Sequence, residues 1–362
     1  RELILPAMDL GAFFKKEWFQ FRRNVGVVLV VLVLLPGAAA MGTAAFQQTI
    51  PEDVPIGIAA QDETVAETDM ATIQAGTALY ASPSRYDSRA AAEKALERED
   101  VYLVVVVPDD TFEEGADANV TLISDQRLAP FREASNYTAS VLDYQLDEQL
   151  PSDVTVTHER IGVQHSLSEY LIPTALLLVV VLYAFVYFPF ELYRERDVFE
   201  RVELQSRIET AVLAKIAFHS LLLVIPLTVF QLVSIFAGYR LSHFNPYTIA
   251  VLAVTFVYLT SIGGLLMFLS KLRRTGIYLN IGVMTGILAL SSFVFPVGFF
   301  SSVRKTIALT LPTYHSMVMV RSTMMKGVSL ALFSPRFELL VGFTIVMGVL
   351  LRVSINYYRR AK

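Results

Sequence analysis

LIPTALLLVVVLYAFVYFPF (residues 171–190) runs directly into ELYRERDVFERVELQSRIET (residues 191–210), and a second apolar run, residues 211–238, follows at once. Each apolar run is long enough to cross a bilayer core, which takes about twenty residues of helix. A connection between two spans is usually short. This one is long, dense in charge of both signs and rich in helix-forming residues.

The rest of the chain agrees with a membrane setting. It has 362 residues, 54% of them hydrophobic and 18% charged, with a positive mean hydropathy, a balance foreign to ordinary soluble domains. There is no cysteine, which excludes a disulfide framework and any cysteine-based metal site. The first twenty residues lack the short apolar core and small-residue cleavage site of a signal peptide, so none is expected there.

Six spans follow from the apolar runs: residues 25–46, 169–190, 211–238, 247–270, 276–299 and 338–356. Pro36 and Gly37 interrupt the first, which a transmembrane helix tolerates. The predicted fold is an α-helical polytopic membrane protein of six transmembrane helices carrying an inserted α/β domain. Both termini then lie on one side. The basic segments (residues 1–24, 191–210, 271–275 and 357–362) share that side, and the positive-inside rule makes it cytoplasmic. The chain is expected to be multi-pass in the plasma membrane with residues 47–168 extracellular. That segment has 23 acidic and 7 basic residues, a charge of −16, against +12 for the remainder.

Within 47–168 the pattern gives strands at 54–60, 101–107, 119–124 and 154–161, and helices at 88–98 and 130–150. Asn119 and Asn136 begin Asn-x-Thr sequons and are glycosylation acceptors if the domain is outside the cell. At the start of the chain, Leu10, Phe13, Phe14, Trp18 and Phe21 recur at helical spacing, with Lys15, Lys16, Gln20, Arg22 and Arg23 opposite. This predicts an amphipathic helix in the membrane interface, its tryptophan at headgroup depth. Lys215 is expected to snorkel and His219 to meet a polar group of a neighbouring helix. Residues 300–337 are interrupted by Pro312 and read as two short helices dipping into the outer leaflet, with Arg304, Lys305, Arg321 and Lys326 meeting lipid headgroups or solvent.

The chemistry missing from the sequence narrows its function. There is no G-x-x-x-x-G-K-[ST] phosphate loop, so ATP hydrolysis is not expected in this chain. No H-E-x-x-H, nucleophile elbow or metal-ligand spacing occurs, and neither a catalytic site, a metal nor a nucleic-acid partner is expected. Carboxylates are nearly missing from the spans, which weakens the case for an ion-coupled transporter. The walls of any pathway would be apolar and aromatic, suited to a hydrophobic or amphipathic cargo.

Three places carry a resemblance to a known family. EKALEREDVYLVVVVPDDTFEEGADANVTLISD (residues 93–125) combines a helix, an apolar strand ending in proline, a Phe-containing turn and a strand ending in Asp. RERDVFE (residues 194–200) follows the second span. Leu311-Pro312-Thr313-Tyr314, with Arg321 and Gly327 after it, precedes the last span. Together they resemble the permease subunits of type-2 ABC exporters, in the branch with a large extracellular domain between spans one and two. The small-residue and proline stretch common after that family's charged segment is replaced here by Leu204-Gln205-Ser206-Arg207.

The resemblance implies a dimer of permeases, expected to be a homodimer although a different partner permease stays open, with two ABC ATPase subunits on the cytoplasmic face. ATP and Mg would sit on those partners and no cofactor in this chain. Docking would use the N-terminal helix and Glu191, Arg194, Glu195, Arg196, Phe199, Glu200 and Val202. On a helical wheel Val198, Phe199 and Val202 share one side, so the second span is expected to continue through Arg194 or Arg196, bend, and give a short helix from about Asp197. Phe199 and Val202 would then fill a groove on the motor. Cargo in the family includes lipids, lipid-linked glycans, drugs and, for some members, sodium. Two other readings stay open: a membrane-anchored receptor or adhesion protein using the α/β domain, and an ATP-independent transporter or channel.

Overall fold

The computed structural model describes residues 54–360 apart from 63, 80, 110, 112–116, 150–152, 198, 200–207 and 294–295, together with Arg22. The predicted first span and the interfacial-helix residues Phe13, Phe14, Lys15, Lys16, Trp18 and Arg23 lie outside the described residues, as do Glu200 and Val202. Arg22 is helical and exposed.

The inserted domain is a five-stranded sheet flanked by helices. In chain order its elements are β1 (Val54–Ala60), α1 (Glu67–Thr77), β2 (Ala81–Tyr86), α2 (Arg89–Glu97), β3 (Leu103–Val107), β4 (Asp117–Asp125), α3 (Arg132–Gln149) and β5 (Asp153–Ile161). The strand order is β2-β1-β3-β4-β5. All neighbours are parallel except β3 and β4. Central β3, LVVVV, is buried along its whole length, as expected of a strand covered on both faces. One face packs Ala92, Ala95 and Leu96 of α2 on Val104 and Val106. On the other, Met70, Ile73, Phe131 and Ala139 join Ile56, Ile58, Leu103 and Val105 in a core that continues into the membrane helices. Ser88 caps α2 by accepting from the Ala91 amide at 3.2 Å. Loss of such a cap costs about 1 kcal/mol.

Among the described residues four helices are long and apolar enough to cross a membrane: Leu167–Arg194, Ile208–Ala237, Pro246–Leu269 and Leu330–Arg360. The first comprises α4 (Leu167–Leu182), a π-helical turn at Tyr183–Tyr187, and α5 (Phe188–Arg194). Ser166 and Glu169 close a capping box at its start. The π turn comes just before Pro189, which cannot donate to the carbonyl four residues back, so the ladder widens there. The second comprises α6 (Ile208–Leu222) and α7 (Val224–Ala237), which break at Leu223 because Pro226 removes the donor that Leu222 needs. The third is α8 (Pro246–Leu269), begun by an Asn245 cap and Pro246.

The predicted fifth span is shorter than expected. Its helix, α9 (Arg274–Leu290), has 17 residues and a length of about 25 Å at 1.5 Å per residue, against about 30 Å of hydrocarbon. Ser292, at φ 37°, turns the chain, and Ser291 hydrogen-bonds Thr313 at 2.5 Å. The predicted pair of short helices is present as α10 (Ser302–Thr310) and α11 (Pro312–Met325), followed by α12 (Ser334–Arg360), the body of the last span.

Candidate functional site

Charge concentrates at two places, one at each end of the long helices. At the domain end, Pro312 opens α11 and Gly327, at φ 65°, turns the chain just past it. Tyr314 is buried. Arg321 is fully buried: its Nη1 meets Glu99 Oε2 at 2.7 Å, its Nη2 donates to the Ser292 carbonyl at 3.4 Å, and the guanidinium stacks over Tyr170 at 4.6 Å. Lys326 Nζ pairs with Asp125 Oδ2 at 2.9 Å and donates to the Glu97 carbonyl at 2.9 Å. Arg336 pairs with Asp100 and donates to the Arg98 carbonyl at 2.8 Å.

Three cations from residues 321–336 therefore grip the turn after α2 and the end of β4. This corrects the headgroup or solvent placement of Arg321 and Lys326. An arginine inside an apolar shell must find an acid, and the acid comes from the sheet domain. Arg304 also turns inward, donating to the Ala289 carbonyl at 2.6 Å and stacking on Phe300 at 3.8 Å. Burial pushes the Asp125 carboxyl up, but Lys326 and Arg127 beside it hold it below its usual 3.8. Its contribution is complete above that value and is lost as pH falls through the lowered one, so this joint stays charged at neutral pH. Tyr102 adds a close contact. A Cβ on Gly298 would stand 2.8 Å from its ring, so the chain before α10 presses on the sheet domain with bare backbone.

At the far end, α5 and α6 are joined by a compact network. Lys215 Nζ lies 2.7 Å from Glu191 Oε2 and 2.7 Å from Glu195 Oε1. Tyr187 donates to Glu191 at 2.8 Å. His219 meets the Tyr183 hydroxyl at 2.6 Å and Glu191 at 3.3 Å. The histidine thus does meet polar groups of a neighbouring helix. Lys215 is held by two carboxylates.

Beyond this network α5 ends at Arg194, Glu195 makes a turn, and Arg196, Asp197 and Phe199 are helical again, close to the bend expected from the sequence. Arg194 and Arg196 are exposed. Arg194 stacks toward Phe190 at 5.9 Å, while Arg196 pairs with Asp197 at 3.1 Å. Phe199 departs from expectation: it is 3% exposed and packs on Phe268 at 6.1 Å. Its ring anchors the segment to the chain's own helices and does not point out to a motor groove. Phe199 belongs to one buried apolar cluster with Phe188, Leu192, Met267 and Phe268, while Val198 and Val202 lie outside the described residues.

Along one side of Leu167–Arg194, Val179, Leu182, Tyr183, Val186, Tyr187 and Phe190 line an open groove of about 480 Å³. Asn119 and Asn136 are both exposed. The Asn119 carbonyl accepts from Thr157 at 2.7 Å and that of Asn136 from Arg160 at 3.3 Å. Among the described residues no group of acids and histidines is arranged to hold a metal.

A family model described as ABC-2 family transporter protein matches residues 25–353, nearly the whole chain. The chain belongs to the ABC-2 transporter family. No curated protein and no solved structure matches it. Membership of this family together with the apolar helices makes the chain a membrane-embedded transport protein of the permease type. Glu99, Asp100, Asp125 and Arg336 at one joint were not foreseen as site residues; at the other, Glu191 and Glu195 were expected as docking residues, but their pairing with Lys215 was not. Their signal in the sequence was slight, namely cations inside or beside apolar helices, which need an acid from elsewhere.

Proposed function

We propose that this chain is the transmembrane permease subunit of an ATP-driven ABC exporter, with no catalytic activity of its own. It would pair with a second permease, as a homodimer, and with two ABC ATPase subunits that bind ATP and Mg. The proposal takes six spans, the first from residues 25–46 and the fifth from α9, with both termini cytoplasmic and the sheet domain extracellular. The observation that carries it is the braced, charged end of α5 on a chain of this family. Lys215 fixes Glu191 and Glu195 against the next helix, so a push on Arg194 and Arg196 would move two spans together. The N-terminal helix and residues 191–210 would be the surface that the ATPases push.

The groove on Leu167–Arg194, apolar apart from two tyrosine hydroxyls, favours a hydrophobic or amphipathic cargo such as a lipid, a lipid-linked glycan or a drug-like molecule. The three-cation grip on the sheet domain would make the outer domain follow α11 and α12 as a unit.

Co-expression with a phosphate-loop ATPase from the same source is expected to yield a stable complex. In liposomes that complex should move a fluorescent phospholipid analogue between leaflets with ATP, and this chain alone should move none. Equal movement by the chain alone, without ATP or partner, would contradict the proposal.

A further inference from the structure

The sheet domain contains a polar cavity that neither charged joint uses. Where β4 and β5 end beneath the first turn of α3, a partly enclosed space of about 100 Å³ is lined by Ser124, Gln126, Arg132, Ser135 and Arg160 among others. It shares Asn136 and Arg160 with an open cleft of about 270 Å³, walled further by Ser140, Asp143 and His158. The inner space equals about three water volumes in the liquid, which suits a single tetrahedral or planar oxyanion.

Two of its buried donors are unused. Ser135 is 4% exposed and its hydroxyl has no hydrogen-bond partner. The Nε of Arg132 is likewise buried and unpartnered, while its Nη2 donates to the carbonyls of Gln126 at 3.3 Å and His165 at 2.8 Å. No carboxylate pairs with Arg132 among the described residues. Buried donors normally find acceptors, because leaving one unpaired costs as much as losing a hydrogen bond.

The charges point the same way. Asp125, the one acid among the described residues lining the inner space, is already held by Lys326 and Arg127. Arg160 lies on the shared wall and donates to the Asn136 side-chain carbonyl at 3.3 Å. Arg132, Ser135 and Asn136, from the first turns of α3, all line this space. Asp143 stands in the outer cleft only, where Asn136, Ser140 and His158 offer donors and acceptors suited to hydroxyl groups.

We propose that this cavity binds a small anionic ligand: a phosphate or carboxylate group seated on Ser135, Arg132 and Arg160, carried by a hydroxyl-rich body lying in the outer cleft. The ligand would rest against the end of β4, the strand whose Asp125 holds Lys326.

The test is calorimetric titration of the full chain in nanodiscs, at fixed ionic strength, with inorganic phosphate, glucose 6-phosphate, glucuronate and neutral glucose. Saturable binding of at least one anion and none of glucose is expected; preference for glucose 6-phosphate assigns a phosphate ligand, and preference for glucuronate a carboxylate. R160Q and S135A should each weaken binding about tenfold or more, the size of a lost charge-assisted hydrogen bond. Amide exchange of the wild-type chain gives a second reading that needs no variant: the preferred anion should slow exchange in residues 124–136 and 158–164. The proposal is overturned if no anion binds saturably, if R160Q and S135A bind within twofold of wild type, or if exchange in those residues is unchanged.

Discussion

The variant E99Q is expected to destabilise the joint between the sheet domain and the membrane helices by about 3–5 kcal/mol, the usual cost of removing one partner from a buried ion pair. Arg321 remains charged, since a guanidinium does not deprotonate in proteins. Both side chains are at most 1% exposed, so water cannot replace the lost carboxylate. Glutamine keeps the shape and leaves the backbone at φ 58° as it is, which proline, with its φ fixed near −65°, would not. The double variant E99Q/R321M should recover much of the loss, because it removes the stranded charge and leaves an apolar side chain over Tyr170. Thermal unfolding of the four forms of this double-mutant cycle measures the coupling. A near-additive cycle, or an E99Q protein as stable as wild type, would show that the pair does not hold the joint.

K215M is expected to act at the opposite end. Lys215 is the cation between Glu191 and Glu195, 14% exposed and 2.7 Å from each. Without it two carboxylates face each other, and the segment after Arg194 loses its tie to α6. A stability loss of about 2–3 kcal/mol follows from stranding charge-assisted hydrogen bonds in a partly buried site. The larger effect is on coupling: ATP-driven transport should fall about tenfold or more, whereas K215R, which keeps a cation in reach of both acids, should retain most of it. The reconstituted complex supplies the readout. K215M transport equal to wild type would mean that the network is not a brace.

Much of the sheet domain was legible because its strands and helices follow their own periods. β1 coincides with the predicted 54–60, and α2 starts behind the Ser88 cap. α1 and β2 were missed. ETDMATIQAGT buries only Met70, Ile73 and Thr77, too few apolar positions to stand out, and ASPSRY is an edge strand with Pro83 inside it. The short fifth helix was overread because the apolar run continues past Ser291 and Ser292, where the chain already turns.

The charged joints were not legible. Arg321 and Glu99 are 222 residues apart in the chain, and nothing local to either names its partner. Phe199 illustrates the converse: that its ring would seek an apolar surface was readable, but whether that surface belonged to a partner or was the chain's own Phe268 depends on packing that sequence spacing does not encode.

The most direct test of the central claim, that the charged segment after α5 carries ATPase coupling, is ATP hydrolysis by the co-purified ATPase. It should be measured with wild-type chain and with a variant carrying Arg194→Glu, Arg196→Glu and Glu200→Lys. Arg194 and Arg196 are exposed and belong neither to the buried Phe199 anchor nor to the Lys215 network. The account predicts that the wild-type chain stimulates hydrolysis in liposomes and that the variant, though folded and inserted, neither stimulates it nor supports transport. Full stimulation and transport by the variant would contradict the account.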